Sequence, residues 1–571
     1  MMPMHRVGML LLLSAAVSAS AAGQAVDSSF LDALPVPGQT NTGGASEVFA
    51  GSVLESYLRY LQTAGKSASY PFGIRGFSPA EIDRLAPKDS EHPWASRYSL
   101  GSGTQSGFRW DVVRPAVSLN VNSAFPFGGN DGPVWSGRGL TTSVRMGIAA
   151  RYGAFSAVLA PVAFRAENQS IALMPNGETG RLQFADGSFP RDIDKPQTFG
   201  TQPYMRLDPG ESTIRVDFRG AAAGISTASQ WWGPTSQFPP ILGNNAGGFA
   251  HVFLGTSSPA SIGFASLHGR VVYGYLEQSA WSPVTGSPYF VSFTETGTRR
   301  FMAGIVGLMQ VRGLPGLEIG GTRFFHAANS RGGPSSHNLL LPFQGLLKNS
   351  VPVEADTGFA DTRGIKENQL ASVFMRIVPP GSGFDLYAEF AREDHSGDLR
   401  DFLLEPDHSS MTNVGFRKAW LSPTVMNALR AEFFTYEAPG GIQTRETGEG
   451  GAYIHTVLKQ GHTQRGQLLA ADVGPGSGNA QILAFDRFTT TGRVTGYARR
   501  AVAHESGQRY TGGDPVSPAI DVLNTLGGEM TRFVGPVDVT VQGSLTFDLN
   551  RSFQSDKTNA GLGVSVRYRA W

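Results

Sequence analysis

The chain has 571 residues, room for one large β-barrel or several average domains, and its 47 Lys+Arg against 46 Asp+Glu leave a net charge of +1, which argues against bulk attraction to nucleic acid. Charged residues make up only 16% while Gly numbers 72, a balance foreign to ordinary soluble helical enzymes. With no cysteine, a disulfide framework, thiolate chemistry and a Cys-linked lipid anchor are all excluded.

Residues 1–25 read as an export signal. His5 and Arg6 give a positive start, Val7 to Val17 an apolar run, and Ala19-Ser20-Ala21 a small-residue cleavage site, with a second cut allowed after Ala25. That run is too short to span a bilayer as a helix, and no later stretch reaches the ~18 apolar residues required. The two surviving classes are an exported soluble sandwich and a closed membrane barrel, the other structure that leaves no backbone group unpaired in lipid.

The segment 26–100 is expected to be a helical periplasmic element. From Ser46 to Leu61 the residues Phe49, Val53, Leu54, Tyr57, Leu58 and Leu61 fall on one helical face. Ser78-Pro79-Ala80-Glu81 is a capping box with Pro in the first turn, and Pro87 stops the helix it opens.

Beyond about residue 105 the period switches from 3.6 to 2. Val537, Val539, Val541, Gly543, Leu545, Phe547 and Leu549 alternate with Asp538, Thr540, Gln542, Ser544, Thr546, Asp548 and Asn550. A tilted strand needs some 9–11 residues to cross hydrocarbon, and this run is long enough. Val117-Leu119-Val121, Val144-Met146-Ile148 and Ile214-Val216-Phe218 repeat the pattern. At the C-terminus Leu562, Val564, Val566 and Tyr568 alternate with polar residues and Gly, although the terminal aromatic Trp571 falls on the parity of Arg567 and Arg569. Short turns such as Arg151–Ala154 alternate with long Gly/Pro/Ser/Asn-rich segments, as expected of a membrane barrel with tight turns at one face and large loops at the other. The expected fold is an all-β transmembrane, closed antiparallel barrel over 101–571, with about 16–20 strands and the helical segment as a small plug.

Catalytic signatures are scarce. Gly137-Arg138-Gly139 lacks the third Gly of a dinucleotide loop, and His504-Glu505 lacks the second His of a zincin helix. The 11 scattered His do not suggest a metal cluster, and neither a cofactor nor an enzymatic role is expected. Trp231-Trp232-Gly233-Pro234, followed by Asn244-Asn245, offers indole faces for sugar C–H stacking and amides for hydroxyls; the alternative is an interfacial girdle or an inward loop held by its own amides. Asp131 and Arg138 flank a turn-rich stretch and suit either a ligand or a lumenal ion pair. Glu389, Arg392, Glu393 and Asp394, with Asp398, Arg400 and Asp401, read as a rim or lumenal network.

These stretches carry a family resemblance. Tyr57-Leu58-Arg59-Tyr60-Leu61, Phe77-Ser78-Pro79-Ala80-Glu81, Asn130-Asp131-Gly132, the Trp231–Pro234 and Asn244–Ala246 segments, Glu367-Asn368-Gln369-Leu370, Tyr387-Ala388-Glu389 and Gln460-Gly461-His462-Thr463-Gln464-Arg465-Gly466-Gln467 together resemble the capsule assembly Wzi family of outer-membrane lectins. The resemblance implies an 18-stranded barrel closed at its periplasmic end by a small helical bundle, binding capsular or exopolysaccharide at the cell surface. The candidate glycan contacts are Trp135, Arg138, Trp231, Trp232, Asn244, Asn245, His462 and Arg465. Expected partners are that polysaccharide, outer-membrane lipid and the barrel-assembly machinery, engaged through the C-terminal strand ending at Trp571; the barrel is expected to be a monomer that binds no nucleic acid. A general porin or solute channel is the main rival reading, and an outer-membrane hydrolase the third.

Overall fold

The computed structural model describes residues 45–569 apart from 88, 99, 101–106, 290–296, 346–366, 394–398, 405, 407–408, 437–450, 456 and 506–519. The expected leader and Trp571 lie outside these residues.

Eighteen antiparallel strands close into one barrel. They are β1 Arg109–Asn122, β2 Gly139–Tyr152, β3 Phe155–Leu159 continued by Val162–Ala166, β4 Tyr204–Asp208 continued by Thr213–Phe218, β5 Ala221–Ser226 and β6 His251–Thr256 extended by Ala260–Ser261. Next come β7 Ala265–Glu277, β8 Arg299–Val311, β9 Leu317–Ala328, β10 Asn368–Ile377, β11 Phe384–Glu393 and β12 Ser410–Leu421. The last six are β13 Val425–Thr435, β14 Asn479–Thr489, β15 Gly492–Glu505, β16 Ile520–Val534, β17 Val537–Arg551 and β18 Ser555–Tyr568. Closure is made by β1 against β18, with Val117 opposite Val566 and Val121 opposite Leu562.

Alternation decides which side of each strand meets what. Leu119, Val121, Met146, Ile148, Ile214, Phe218, Val541, Leu545, Phe547, Leu549, Leu562 and Val564 are all exposed on the outer wall. An apolar band of this extent around a closed barrel is a surface for lipid rather than water. The opposite parity faces inward, and the buried core therefore sits inside the cylinder.

Two helices enter that interior at the end bearing the short turns. α1 spans Val53–Thr63, preceded by a 3-10 turn at Ala45–Glu47. The sequence pattern predicts one helix from Ser46, but Gly51 adopts φ +77°, a left-handed conformation that breaks the run. Ser52 then caps the new start, its hydroxyl accepting from Glu55 N at 3.2 Å. α2, Pro79–Leu85, keeps the expected capping box in both directions, worth about 0.5–2 kcal/mol. Tyr57, Leu58, Leu61, Leu85 and Trp94 pack with Met426 and Phe488 of the wall.

The docking of α1 is polar as well as oily. Arg59 Nε donates to Asp385 Oδ2 at 2.7 Å, and Arg376 Nε to Asp385 Oδ1 at 2.9 Å. Arg376 also pairs with Glu318 at 3.2 Å and donates to Gln62 Oε1 at 2.8 Å. Glu318 in turn accepts the Phe72 N–H at 3.0 Å. Strands β9, β10 and β11 thus present one buried charge network to the plug.

Candidate functional site at the barrel mouth

The long connections leave the wall at the opposite end, and among the described residues two segments turn back into the lumen. Residues 227–250 descend until Trp231 and Trp232 pair antiparallel with Arg75 and Ile74. The Arg75 guanidinium lies 4.1 Å from the Trp231 ring centroid, and Trp231 Nε1 donates to Thr235 Oγ1 at 3.2 Å. Trp232 packs edge-on to Phe324, and at Gly304 a Cβ would meet its ring at 2.7 Å; the wall needs glycine there for the indole to fit. Glu432 holds the same segment through Ser236 N at 2.6 Å and Phe238 N at 2.7 Å, while Tyr387 and Asn413 donate to its carboxylate at 2.7 and 2.9 Å.

The second insert, 451–474, lies against the first. Gly243 N donates to Leu469 O and Ala471 N to Pro239 O, both at 2.9 Å. His462 is fully buried; desolvation, opposed by its bond to the Ile241 carbonyl, lowers its pKa to about 3. A neutral imidazole can donate from one nitrogen and accept at the other. Its Nε2 lies 2.5 Å from Ile241 O, so that nitrogen carries the proton, and its Nδ1 accepts from His326 Nε2 at 2.8 Å. Arg300 Nη1 stands 3.3 Å from His326 Nδ1 and completes the chain of donors.

Several expected sugar contacts are therefore occupied by the protein itself. Trp231, Trp232 and His462 are 1%, 0% and 0% exposed, and their faces are covered by Arg75, Phe324 and the inserts. Asn244 Nδ2 donates to Ala50 O and Asn130 O at 3.3 and 2.8 Å, joining plug, insert and mouth loop. Arg465 is clamped between Glu277, at 2.7 Å, and Asp208, at 2.8 Å. Arg138 sits at the rim and donates to Ser170 O at 2.6 Å. Glu393 belongs to the lumenal network, accepting from Asn368 at 3.0 Å, whereas Asp394 and Asp398 lie outside the described residues.

Above the inserts a cavity of about 210 Å³ opens, and Trp135 and Asn245 line it. The wall is completed by Asp131, which the sequence offers to a ligand or a lumenal ion pair, and by Asp186, Lys195, Gln467, Asp472 and Arg499, which the sequence does not single out as site residues. Of those five, Arg499 carries a signal: it lies on the parity opposite Val494, which is exposed on the outer wall. Trp135 is held edge-on by Phe199 at 4.9 Å and Tyr204 at 6.1 Å, and Phe199 stacks on Tyr204 at 4.1 Å. Asn245 Nδ2 is fixed by Leu468 O at 3.0 Å, and Arg499 donates to Asp472 O at 2.6 Å. An aromatic wall with amide, carboxylate, ammonium and guanidinium groups is suited to a polyhydroxylated ligand.

Asp131 is exposed at the cavity wall, and the protein packed around it still desolvates the carboxylate enough to raise its pKa to about 6. The Gly129 N–H, at 3.2 Å, opposes the shift, while the Asp472 carboxylate reinforces it. Because the folded pKa exceeds the unfolded one, the folded form takes up a proton first and gains stability as pH falls through about 6. The same step removes a negative charge from the mouth, so an anionic glycan should bind better at pH 5 than at pH 7. Infrared or NMR titration should find a carboxyl titrating near pH 6 that Asp131→Asn abolishes; a titration unchanged by that substitution contradicts the assignment.

The family model for the capsule assembly protein Wzi matches residues 127–560, well over half of the chain. The chain belongs to the capsule assembly Wzi family. Among solved structures it is similar to Wzi of Escherichia coli, described as an outer-membrane protein involved in group 1 capsule assembly and a carbohydrate-binding β-barrel. The identity is 13% and the TM-score 0.57, covering 91% of this chain and 99% of that one. OccAB3 of Acinetobacter baumannii is 8% identical with a TM-score of 0.37, covering 80% of this chain and 98% of that one. A BenF-like porin from Pseudomonas fluorescens Pf-5 gives 8%, 0.37, 81% and 100% in the same terms. Those two scores are too low to carry an argument. No curated protein matches. The Wzi-family model begins in the β1–β2 loop, so it takes in the mouth loop bearing Trp135 and both lumenal inserts.

Proposed function

We propose that this Wzi-family barrel is an outer-membrane lectin that holds capsular or exopolysaccharide at its outer mouth and supports capsule assembly without catalysing a reaction. Trp135 supplies a stacking face there, and Asn245, Lys195, Arg499 and the mouth carboxylates meet hydroxyl and charged groups. The barrel acts as a monomer and reaches the membrane through assembly machinery that reads its C-terminal strand. One observation carries this reading: the polar, aromatic-walled cavity faces outward above a lumen filled by helices and inserts. Core residues from Trp232 to Phe249 and from Ala452 to Val473 join wall residues such as Phe324 and Phe374 in one buried cluster. Such a filling retains a surface ligand and obstructs a solute.

The porin reading makes the opposite prediction in planar bilayers. The purified barrel should be electrically silent under an applied potential, and stepwise open-channel currents would favour the porin. The hydrolase reading has one contact behind it, Ser188 Oγ at 3.3 Å from His504 Nδ1 beside the cavity. Release of labelled product from polysaccharide or lipid, lost in Ser188→Ala, would establish it.

A further inference from the structure

Residues 329–345 open the β9–β10 connection. Its helix α3, Ser336–Leu340, and the 3-10 turn Leu341–Phe343 fold back onto the outside of the wall. Leu341 is buried in a cluster with Phe301, Ala303, Phe325 and Ala327. These four alternate with Arg300, Met302, Phe324 and His326, which face the lumenal core, so the cluster lies on the outer surface. Tyr273, also on that surface, donates to Leu339 O at 2.7 Å.

Arg323 shares the outward parity of Phe325. An arginine on the lipid face of a barrel costs about 2–4 kcal/mol at the bilayer midplane and less toward the interface. Here its two terminal nitrogens are taken up: Nη1 by Gln344 O at 2.5 Å and Pro342 O at 3.3 Å, Nη2 by Gly345 O at 3.2 Å and Gln369 Oε1 at 2.6 Å. The guanidinium pins the segment to the wall, and the segment shields the guanidinium. On the side away from the barrel Leu339, Leu340 and Phe343 are 43%, 57% and 61% exposed. On the same strands nearer the short turns, Ile319, Val373 and Met375 are exposed as part of the lipid-facing band. The apolar surface is therefore continuous from that band onto the segment.

We infer that residues 335–343 form a lipid-embedded anchor in the outer leaflet, whose ligand is the acyl chains of membrane lipid. Three large apolar side chains offer a glycan no hydrogen bonds, and a stable protein interface needs about 1,200–2,000 Å², far more than one short helix presents. The inference rests on the barrel lying in the membrane and not on its binding polysaccharide.

The chain has no cysteine, so single labels are unambiguous. Leu340→Cys, Val373→Cys and Thr179→Cys, each carrying an environment-sensitive fluorophore, are placed in phosphatidylcholine vesicles with brominated acyl chains. Val373 reports the lipid-facing wall, and Thr179 an exposed loop position. The label at 340 should lose emission to bromolipid as far as the one at 373 does and resist aqueous iodide, whereas the one at 179 should do the reverse. Iodide quenching at 340 like that at 179, or protection from both quenchers, overturns the anchor. Failure of bromolipid quenching at 373 as well overturns the membrane placement of the barrel itself.

Discussion

Replacing Asp385 by alanine should lower the unfolding free energy of the plugged barrel by about 3–5 kcal/mol, the cost of removing one partner from a buried ion network. Asp385 is wholly buried and accepts from both Arg59 and Arg376. Without it two guanidinium groups face each other, with Glu318 left as the counter-charge. Repulsion and lost hydrogen bonds then act on α1 itself, because Arg59 is carried by that helix. Denaturation in detergent micelles measures the loss, and limited proteolysis near residues 64–69 shows whether α1 has come away. Asp385→Asn should be milder, since the amide keeps one acceptor. Lys66→Ala, which removes exposed pairs with Asp89 and Glu91, should leave stability unchanged because such pairs are screened by water. Equal effects at Lys66 and Asp385 would contradict the account of how the plug is held.

The second large effect is on binding. Trp135→Ala should weaken polysaccharide retention about tenfold, near 1.4 kcal/mol per site, in line with the loss of one aromatic contact. On a cell many barrels grip one long polymer, so a modest loss per site compounds into detachment. Trp135→Phe should fall between wild type and Trp135→Ala, keeping a smaller ring edge-on to Phe199 and Tyr204. Trp232→Ala is the informative contrast. It empties a packed position against Phe324 and should cost about 3–5 kcal/mol of stability, while mouth binding at a temperature where the barrel remains folded is unaltered. Melting curves and glycan affinity measured on both variants separate the two roles.

The barrel was legible because lipid on one side and a filled lumen on the other impose strict alternation. Val537–Leu549 was read as one crossing strand, and Val541, Leu545, Phe547 and Leu549 do stand exposed on the outer wall of β17. The capping box at Ser78 was equally local and equally readable. The amphipathic pattern starts helix α1 too early because it does not register the left-handed turn at Gly51. The site was harder. Trp231-Trp232 is conspicuous in sequence, yet its partner Ile74-Arg75 lies far away along the chain, and a loop that returns into a barrel looks the same as one that reaches outward. The cavity wall shows the converse. Lys195, Asp472 and Arg499 come from three distant segments, carry no common spacing, and meet only because strand closure and two inserts place them together. Two of the candidate glycan contacts, Trp135 and Asn245, line the cavity; they lie in loops flanked by Gly and Pro, where direction is set by tertiary contacts.

Binding of the purified barrel, in detergent micelles, to the immobilised surface polysaccharide of its own host decides whether the mouth is a lectin site. A lectin mouth should give saturable retention that free polysaccharide competes away and that Trp135→Ala weakens while lowering the melting temperature far less than Trp232→Ala does. Retention no greater than that of empty micelles, or retention indifferent to Trp135, would contradict it.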